Sequence, residues 1–351
     1  MPTPKKTATW LVTGGAGFLG RSLVERLLKD GHAVTVLDTA DPAAFPLASR
    51  VSYRRADVRD ATAVDAATAG ADYVVHTAAA LPIHRSKKFI WSVNVDGMRN
   101  VLDAALKHHV KGVSFTSSTA VYGLPKVHPI VEDSPMKPVG PYGESKVAAE
   151  DLCRAYRRKG LHVSILRAKT FLGPGRLGVF EILFDWIRDG KRIYLIGKGH
   201  NKYQLLDVDD LIEAIILGAT RAQGNDDFNL GADEYGSLRE DLTALFREAG
   251  TGARFVALPK RTSIAALWTL DKLRLSPLTK WHYGTMATDS YVDTAKAHAQ
   301  LGWRPKRSNQ EALIAAYRWY HAHRPEFAGK TGTGHTVPWS QGVLRWLKRV
   351  S

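Results

Sequence analysis

Short apolar runs alternate along the first half of the chain with longer stretches whose apolar positions recur at helical spacing. Strands are predicted at residues 10–12, 33–37, 73–75 and 113–116. Residues 22–28, Ser-Leu-Val-Glu-Arg-Leu-Leu, place their apolar side chains on one face of a helix. Short apolar runs bounded by turns are typical of strands that are buried on both faces of a parallel sheet. The alternation therefore predicts an α/β fold with a doubly wound parallel sheet.

The alternation of predicted strands and helices becomes irregular after residue 170, which predicts that two structural parts of the chain meet there. Residues 1–170 are expected to form the nucleotide-binding domain. Residues 171–328 are expected to interleave the last sheet strands with a smaller C-terminal lobe that binds the substrate. Residues 329–338 are rich in glycine and threonine, a composition typical of a flexible linker. Residues 339–351 are predicted to form an amphipathic basic helix.

A glycine-rich turn follows the first predicted strand. Residues 13–20 read Thr-Gly-Gly-Ala-Gly-Phe-Leu-Gly, with Gly14, Gly17 and Gly20 at three-residue spacing. Missing side chains let the backbone turn tightly and approach a pyrophosphate, which rests on the N–H groups at the start of the next helix. Phe18 and Leu19 belong to that first helical turn. The segment predicts a Rossmann-type dinucleotide site contacted by these five residues.

Further positions at strand ends define the cofactor. Asp38 closes the second predicted strand, where a carboxylate accepts hydrogen bonds from ribose hydroxyls and repels a 2′-phosphate. No Arg stands next to Asp38, so NAD(H) is favoured over NADP(H). Asp57 and Val58 follow the third strand and are expected near the adenine. Ala78 and Ala79 follow the fourth strand, and their small side chains leave room for the cofactor.

A tyrosine and a lysine one helical turn apart carry the predicted chemistry. Tyr142 and Lys146 occur in Tyr-Gly-Glu-Ser-Lys, and a spacing of four places them on the same helix face. A phenol with a pKa of about 10 is a poor base at neutral pH, and a nearby ammonium favours the phenolate. A hydroxyl at the end of the fifth strand would hold the reacting oxygen opposite the tyrosine. Together with the glycine-rich turn, the pair predicts hydride transfer to or from a nicotinamide.

The chain resembles the extended short-chain dehydrogenases/reductases, a family that includes nucleotide-sugar epimerases and 3β-hydroxysteroid dehydrogenases. The resemblance covers about residues 8–320. It is carried by the segments already described and by Asn94-Val95-Asp96-Gly97, Ser117 to Gly123, Leu206 to Asp210, and Leu301 to Pro305. One departure is visible, because the usual Arg-Pro after the sixth strand is Arg167-Ala168 here.

The resemblance implies a role for each residue of the site. Tyr142 is implied to be the general acid/base, and Lys146 to lower its pKa while binding the nicotinamide ribose. Ser118 is implied to be the catalytic hydroxyl from its position before the Val-Tyr-Gly element, with the neighbours Ser117 and Thr119 as open alternatives. Two further residues are expected to be structural: Asn94 would fix nearby backbone, and His76 would be a packed histidine. A homodimer is a further expectation of the resemblance.

Composition narrows the protein class. Forty-nine Lys and Arg against 34 Asp and Glu give a net charge of +15, but no nucleic-acid-binding module accompanies it, so no nucleic-acid partner is predicted. No metal site is predicted either.

Cys153 is the single cysteine, which excludes an intrachain disulfide and fits a reducing compartment. The first strand starts near Thr9, leaving no room for a signal peptide, and no apolar run reaches about 18 residues. A cytoplasmic location is expected.

The C-terminal segment allows two interpretations. An apolar stripe and an opposing basic side are predicted, formed by Trp339, Val343, Trp346, Leu347 and Val350 and by Arg345, Lys348 and Arg349. Such a helix suits the interface of an anionic membrane. It equally suits docking on its own domain or on a second subunit. The overall basic charge favours the membrane, which predicts a peripheral location on its inner face.

The substrate prediction depends on two observations. Residues 263–270, with Leu273, Leu275 and Leu278, form an apolar segment that belongs either to the core or to a hydrophobic entrance to the site. The runs 278–280, 291–297 and 301–303 are similar to the steroid dehydrogenase branch. Nucleotide-sugar enzymes of this family usually place a diphosphate-binding Arg where this chain has Tyr203. The nearby Lys198 and Lys202 lack the planar fork of Arg.

These observations favour an NAD(H)-dependent oxidoreductase that interconverts a secondary alcohol and a ketone on a hydrophobic, membrane-derived substrate. A sterol or a long-chain 3-oxo lipid, such as an oxidised ceramide or sphingoid base, fits that description. The alternative is a nucleotide-sugar epimerase or dehydratase, which uses the same catalytic residues and returns the hydride to its substrate.

Overall fold

Seven parallel strands form the central sheet of the computed structural model, in the order β10-β6-β5-β4-β1-β2-β3. They are β1 (Thr9–Thr13), β2 (Ala33–Asp38), β3 (Ser52–Arg55), β4 (Tyr73–His76), β5 (Gly112–Ser118), β6 (Val163–Ala168) and β10 (Asp227–Leu230). The structure describes residues 7–84, 86–273, 275, 278, 280–327, 330, 332, 335–339, 344, 347, 348 and 351. The predicted Rossmann-type sheet is confirmed, because the order reverses between β1 and β4 as in nucleotide-binding folds.

Helices cover both faces of this sheet. They are α1 (Phe18–Lys29), α2 (Ala61–Thr68), α3 (Lys87–Trp91), α4 (Gly97–Lys107), α5 (Pro141–Arg157) and α7 (Val208–Thr220). Alternate residues of β1 enter different cores, which explains why its residues are apolar without alternation. Trp10 and Val12 pack with Leu23 of α1, whereas Leu11 packs with Met98 of α4.

The smaller lobe is built from the later part of the chain. Its elements are α6 (Val179–Arg188), α8 (Leu238–Ala249), α9 (Lys260–Lys272), α10 (Lys280–Met286) and α11 (Asn309–His323), with β7 (Phe171–Leu172), β8 (Arg192–Ile196), β9 (Leu206–Asp207) and β11 (Arg254–Leu258). Two parallel pairs, β8 with β11 and β7 with β9, join these helices. Phe184 of α6, Leu245 of α8 and Tyr317 of α11 share its core. The lobe lies beyond the carboxyl ends of the sheet strands, where it can close over a ligand.

The described part of the C-terminal segment packs on this lobe. Trp339 is only 4% exposed and belongs to the core of the lobe, and Leu347 packs against the same core. Lys348 Nζ lies 2.5 Å from Asp185 Oδ2 and 2.6 Å from Asp189 Oδ2. Upstream, the N–H of Leu177 donates to the carbonyl of His335 at 2.8 Å. The predicted membrane-facing helix is therefore not supported, because the described apolar residues of its stripe pack on the protein, Trp339 buried and Leu347 partly buried.

The remaining stripe and basic residues, Val343, Arg345, Trp346, Arg349 and Val350, lie outside the described residues. Among the helices that the structure describes, none combines the length and the apolar character needed to cross a bilayer.

A buried ionic network fastens α5 to the sheet. Glu150 of α5 is 0% exposed at its side chain and Arg167 of β6 is 1% exposed. Arg167 donates from Nε and Nη2 to the Glu150 carboxylate at 3.0 and 2.8 Å, and Nη2 also donates to Asp227 of β10 at 2.7 Å. Its Nη1 donates to the hydroxyl of Tyr122 at 2.7 Å. Because each buried charge has partners, the helix is held in one position on the sheet.

Glu150→Gln should lower the free energy of unfolding by about 3–5 kcal/mol, because it removes the charge that pairs with the buried Arg167. Urea denaturation followed by circular dichroism measures the change. Asp151→Asn is the matched control on the same helix, since the Asp151 side chain is 67% exposed; it should change stability by less than about 0.5 kcal/mol. Equal midpoints for the two variants would show that the network does not fasten the helix.

Candidate active site

A cavity of about 680 Å³ lies at the carboxyl ends of the sheet strands, against the smaller lobe. Every residue predicted to bind the cofactor or to act in catalysis lines it: Gly14, Gly17, Phe18, Leu19, Gly20, Asp38, Asp57, Val58, Ala78, Ala79, Ser118, Tyr142 and Lys146. The parallel sheet explains this convergence, because it places the ends of β1, β2, β4 and β5 side by side.

The glycine-rich turn forms a cradle that side chains would fill. Gly14 has a φ of +72°, and a Cβ on it would lie 2.6 Å from the backbone nitrogen of Ala78. A Cβ on Gly20 would lie 2.2 Å from the carbonyl oxygen of Gly14. Gly17 precedes α1 and provides no side-chain cap, so no side chain of its own competes for the first N–H groups of the helix. The residues present thus fit a pyrophosphate on the N-terminus of α1.

Asp38 is held at the edge of this cradle by two backbone amides. Its Oδ2 accepts from the N–H of Ala16 and its Oδ1 from the N–H of Ala40, both at 2.9 Å. A carboxylate fixed this way retains lone pairs for ribose hydroxyls. Farther along, hydrogen bonds from Arg59 lower the pKa of Asp57, which stays ionised beside the expected adenine position.

Ser118 and Tyr142 both line the cavity. Burial raises the pKa of Tyr142 to about 12, while hydrogen bonding from Ser118 and the charge of Arg176 act to lower it. Ser117 also borders the cavity, but its hydroxyl donates to Glu150 Oε1 at 2.6 Å. Thr119 is not among the residues that line the cavity. Of the three hydroxyls that the sequence left open, Ser118 is the one paired with the tyrosine.

Lys146 lies deep in the site, with 3% of the residue exposed. Its Nζ donates to the carbonyl of Thr116 at 2.9 Å and lies 5.9 Å from the ring centroid of Tyr142. Burial lowers the pKa of Lys146 to about 8, while the charge of Glu150 raises it. The cation that lowers the Tyr142 pKa in this structure is Arg176, whereas the resemblance assigned that effect to Lys146.

Asn94 and His76 are structural, as predicted. Asn94 Oδ1 accepts from the N–H of Ala80 at 2.7 Å, and its Nδ2 donates to Ser145 Oγ at 2.9 Å, which ties the strand end to α5. His76 is 1% exposed and its Nδ1 pairs with Thr13 Oγ1 at 2.8 Å. Burial lowers the pKa of His76 to about 3, so the ring is neutral and packed.

Several cavity residues are not marked as site residues by the sequence: Lys169, Arg176, Trp281, His282, His335 and Trp339. Arg176 follows a Gly-Pro-Gly turn after β7, and that turn is the one local signal that could have drawn attention to it. Lys169 directly follows β6, and the others come from the lobe and the C-terminal segment, where no motif marks a role in the site.

The apolar segment 263–275 does not contribute to this cavity. None of the residues of α9 is buried, Trp268 is 51% exposed, and the described residues of the segment are absent from the cavity lining. The predicted hydrophobic entrance is therefore wrong for this part of the chain. Ala168, which replaces the usual proline after Arg167, does line the cavity at the end of β6.

A dinucleotide cradle that ends at a serine, a tyrosine and a buried lysine defines an NAD-dependent enzyme of the short-chain dehydrogenase/reductase type. Residues 10–231 match the NAD dependent epimerase/dehydratase family. The match covers more than half of the chain, so this protein belongs to that family and uses NAD(H).

Relatives with assigned activities modify nucleotide sugars. The chain is 31% identical over 327 residues to a UDP-glucose 4-epimerase of Mycolicibacterium smegmatis, covering 88% of this chain and 97% of the relative. It is 31% identical over 335 residues to a dTDP-glucose 4,6-dehydratase of Streptomyces griseus, covering 91% and 95%. An uncharacterized protein of Sinorhizobium fredii is 37% identical over 341 residues, covering 97% and 85%.

Solved structures confirm the fold. The UDP-glucose 4-epimerase of Thermotoga maritima, crystallised with UDP-glucose, superposes with a TM-score of 0.76 at 24% identity, covering 90% of this chain and 99% of that one. A Bordetella bronchiseptica enzyme in complex with NAD gives 0.74 at 24% identity, covering 92% and 97%.

Asp38→Ser should weaken NAD(H) binding by about 10-fold and raise the relative affinity for NADP(H), because the carboxylate that repels a 2′-phosphate is removed. Quenching of tryptophan fluorescence during titration with each dinucleotide measures both affinities. Asp41→Asn is the control, since Asp41 is exposed, pairs with Arg55 and does not line the cavity. An unchanged preference in Asp38→Ser would exclude Asp38 from ribose recognition.

Proposed function

We propose that this protein is an epimerase or dehydratase of a nucleotide sugar. The observation that carries the proposal is the charge of the cavity beyond the tyrosine, where Lys169 and Arg176 are both buried. Two buried cations suit a substrate with a diphosphate, whereas a lipid ketone offers them no counter-charge. The relatives named above act on nucleotide sugars, which supports the same conclusion.

Lys169 supplies charge close to the position where the usual arginine is missing. Its Nζ donates to Ser290 Oγ at 2.6 Å and lies 5.4 Å from the ring centroid of Tyr203. Burial lowers the pKa of Lys169 to about 7, so a bound anion would favour its charged form. The absence of Arg at position 203 is thus weaker evidence against a nucleotide sugar than the sequence alone suggested. The lipid substrate that the sequence favoured is not supported by the relatives or by the exposed α9 segment.

The residues of the site have distinct tasks in such a reaction. NAD supplies the hydride acceptor when it is bound. Tyr142 is placed to take the proton of one sugar hydroxyl as the carbon that carries it loses hydride. Ser118 donates a hydrogen bond to the oxygen that becomes a carbonyl, and Lys146 orients the nicotinamide ribose.

The same residues complete the cycle in reverse. Tyr142 returns its proton to the carbonyl oxygen when the hydride comes back to the sugar. Return to the opposite ring face inverts the carbon, and loss of water before the return yields a dehydrated sugar. Because the hydride that leaves the sugar would return to it, the reaction would need no external oxidant.

Tyr142→Phe should lower the rate of UDP-sugar conversion at least about 1,000-fold while leaving NAD bound, because the proton acceptor is removed from an intact cavity. The assay follows a panel of UDP- and dTDP-hexoses by NMR with purified protein, after measuring how much NAD it retains. Tyr235→Phe is the control, since Tyr235 does not line the cavity.

Two results would contradict the proposal. One is normal sugar turnover by Tyr142→Phe. The other is stoichiometric NADH oxidation by the wild-type protein with a long-chain 3-oxo lipid or a sterol ketone, without conversion of any nucleotide sugar.

A further inference from the structure

Arg176 is a buried cation without a complete set of partners. It lies between β7 and α6, is 6% exposed, and borders the cavity. Its Nε and Nη1 have no hydrogen-bond partner in the part of the chain that the structure describes, and no carboxylate there forms an ion pair with it. Its guanidinium carbon lies 5.5, 5.2 and 6.0 Å from the ring centroids of Phe18, Phe171 and Phe180.

This environment is costly for the charged side chain in the free protein. Burial among aromatic rings lowers the pKa of Arg176 to about 9, and ring faces compensate only part of the lost hydration. Two histidines border the same region. Burial lowers the pKa of His282 to about 4 and that of His335 well below its usual value, and the charge of Arg176 lowers both further. The histidines are therefore neutral and add no second positive charge beside Arg176.

Arg176 borders the same cavity as Tyr142. The two side chains also shift each other's pKa, the positive charge of Arg176 lowering that of Tyr142. A ligand group that contacts Arg176 therefore lies in the cavity that holds the catalytic tyrosine. The planar guanidinium pairs best with two oxygens of a carboxylate or a phosphate.

We propose that Arg176 binds an anionic two-oxygen group of the substrate in this cavity, and so contributes to which ligands this enzyme accepts. The inference rests on the proposed function and adds a specificity residue to it. Two sources offer this chemistry: a carboxylate on the sugar ring, as in a uronic acid, or the diphosphate itself. If Arg176 binds a carboxylate on the sugar, it affects which sugars bind. If it binds the diphosphate, it affects the binding of every nucleotide sugar.

The test uses two variants of the full-length, NAD-loaded protein. Arg176→Met removes the charge and keeps the length of the side chain, and Arg176→Lys keeps the charge without the fork. Calorimetry measures binding of UDP, UDP-glucose and UDP-glucuronate to each. We expect Arg176→Met to lose about 100-fold in affinity for the ligand whose anion it binds, and Arg176→Lys to lose about 10-fold.

The pattern of loss identifies the source. Loss confined to UDP-glucuronate assigns Arg176 to a sugar carboxylate, and equal loss for all three ligands assigns it to the diphosphate. Arg176→Met should also melt at a higher temperature than the wild type without ligand, because an unpaired buried charge is removed. Arg188→Met is the matched control, since Arg188 pairs with Asp185 and Asp189 and does not line the cavity. It should melt lower and bind normally.

Unchanged affinities in both Arg176 variants would overturn the inference, as would a loss restricted to NAD, which would assign Arg176 to the cofactor. Failure of the wild-type protein to bind any of the three ligands would instead contradict the proposed function. The two failures are therefore distinguishable.

Discussion

The ion pair between Glu150 and Arg167 determines where the chemistry of this protein takes place. It is fully buried, so its electrostatic attraction is hardly screened, and neither charge can be left alone at low cost. Glu150 lies on α5 one turn after Lys146 and two turns after Tyr142. Arg167 belongs to β6, and through Asp227 it also ties β10 to the same site. The catalytic helix can therefore neither slide nor rotate on the sheet without separating buried charges.

The same carboxylate also explains the choice among the hydroxyls of β5. Ser117 donates to Glu150 and is committed to the structural network, whereas its neighbour Ser118 points to the tyrosine. Adjacent strand residues face opposite sides of a sheet, so one serine serves the network and the other serves the reaction. The hydrogen bond from Ser117 to Glu150 thus assigns one of two adjacent hydroxyls to the structural network and leaves Ser118 for the reaction.

Much of the fold and of the cofactor site could be predicted from sequence, since both depend on local spacing. The strand, turn and helix around Gly14 and the four-residue separation of Tyr142 and Lys146 are properties of short segments. Arg176 could not be recognised in this way, because its importance comes from the rings and the cavity that surround it. The C-terminal segment shows a related limit: an apolar stripe with a basic side fits a membrane or a protein surface equally well. Only the tertiary contacts of Lys348 with Asp185 distinguish the two.

The lipid substrate favoured by the sequence is less well supported than the nucleotide-sugar alternative, for a similar reason. Tyr203 occupies the position where nucleotide-sugar enzymes usually carry an arginine, and aligned positions were the only evidence available for charge in the site. In the folded protein, Lys169 and Arg176 border the cavity from other positions of the chain. The electrostatic character of a cavity depends on every side chain that the fold brings to it, so the loss of one basic position does not show that the charge is gone.

The C-terminal segment packs on the smaller lobe beside the cavity, and this contact has a practical consequence. His335 and Trp339 form part of the cavity wall, and the hydroxyl of the terminal Ser351 lies 2.8 Å from that of Tyr194, which borders the same cavity. An affinity tag fused after Ser351 would begin next to the substrate region and disturb the residues that shape it.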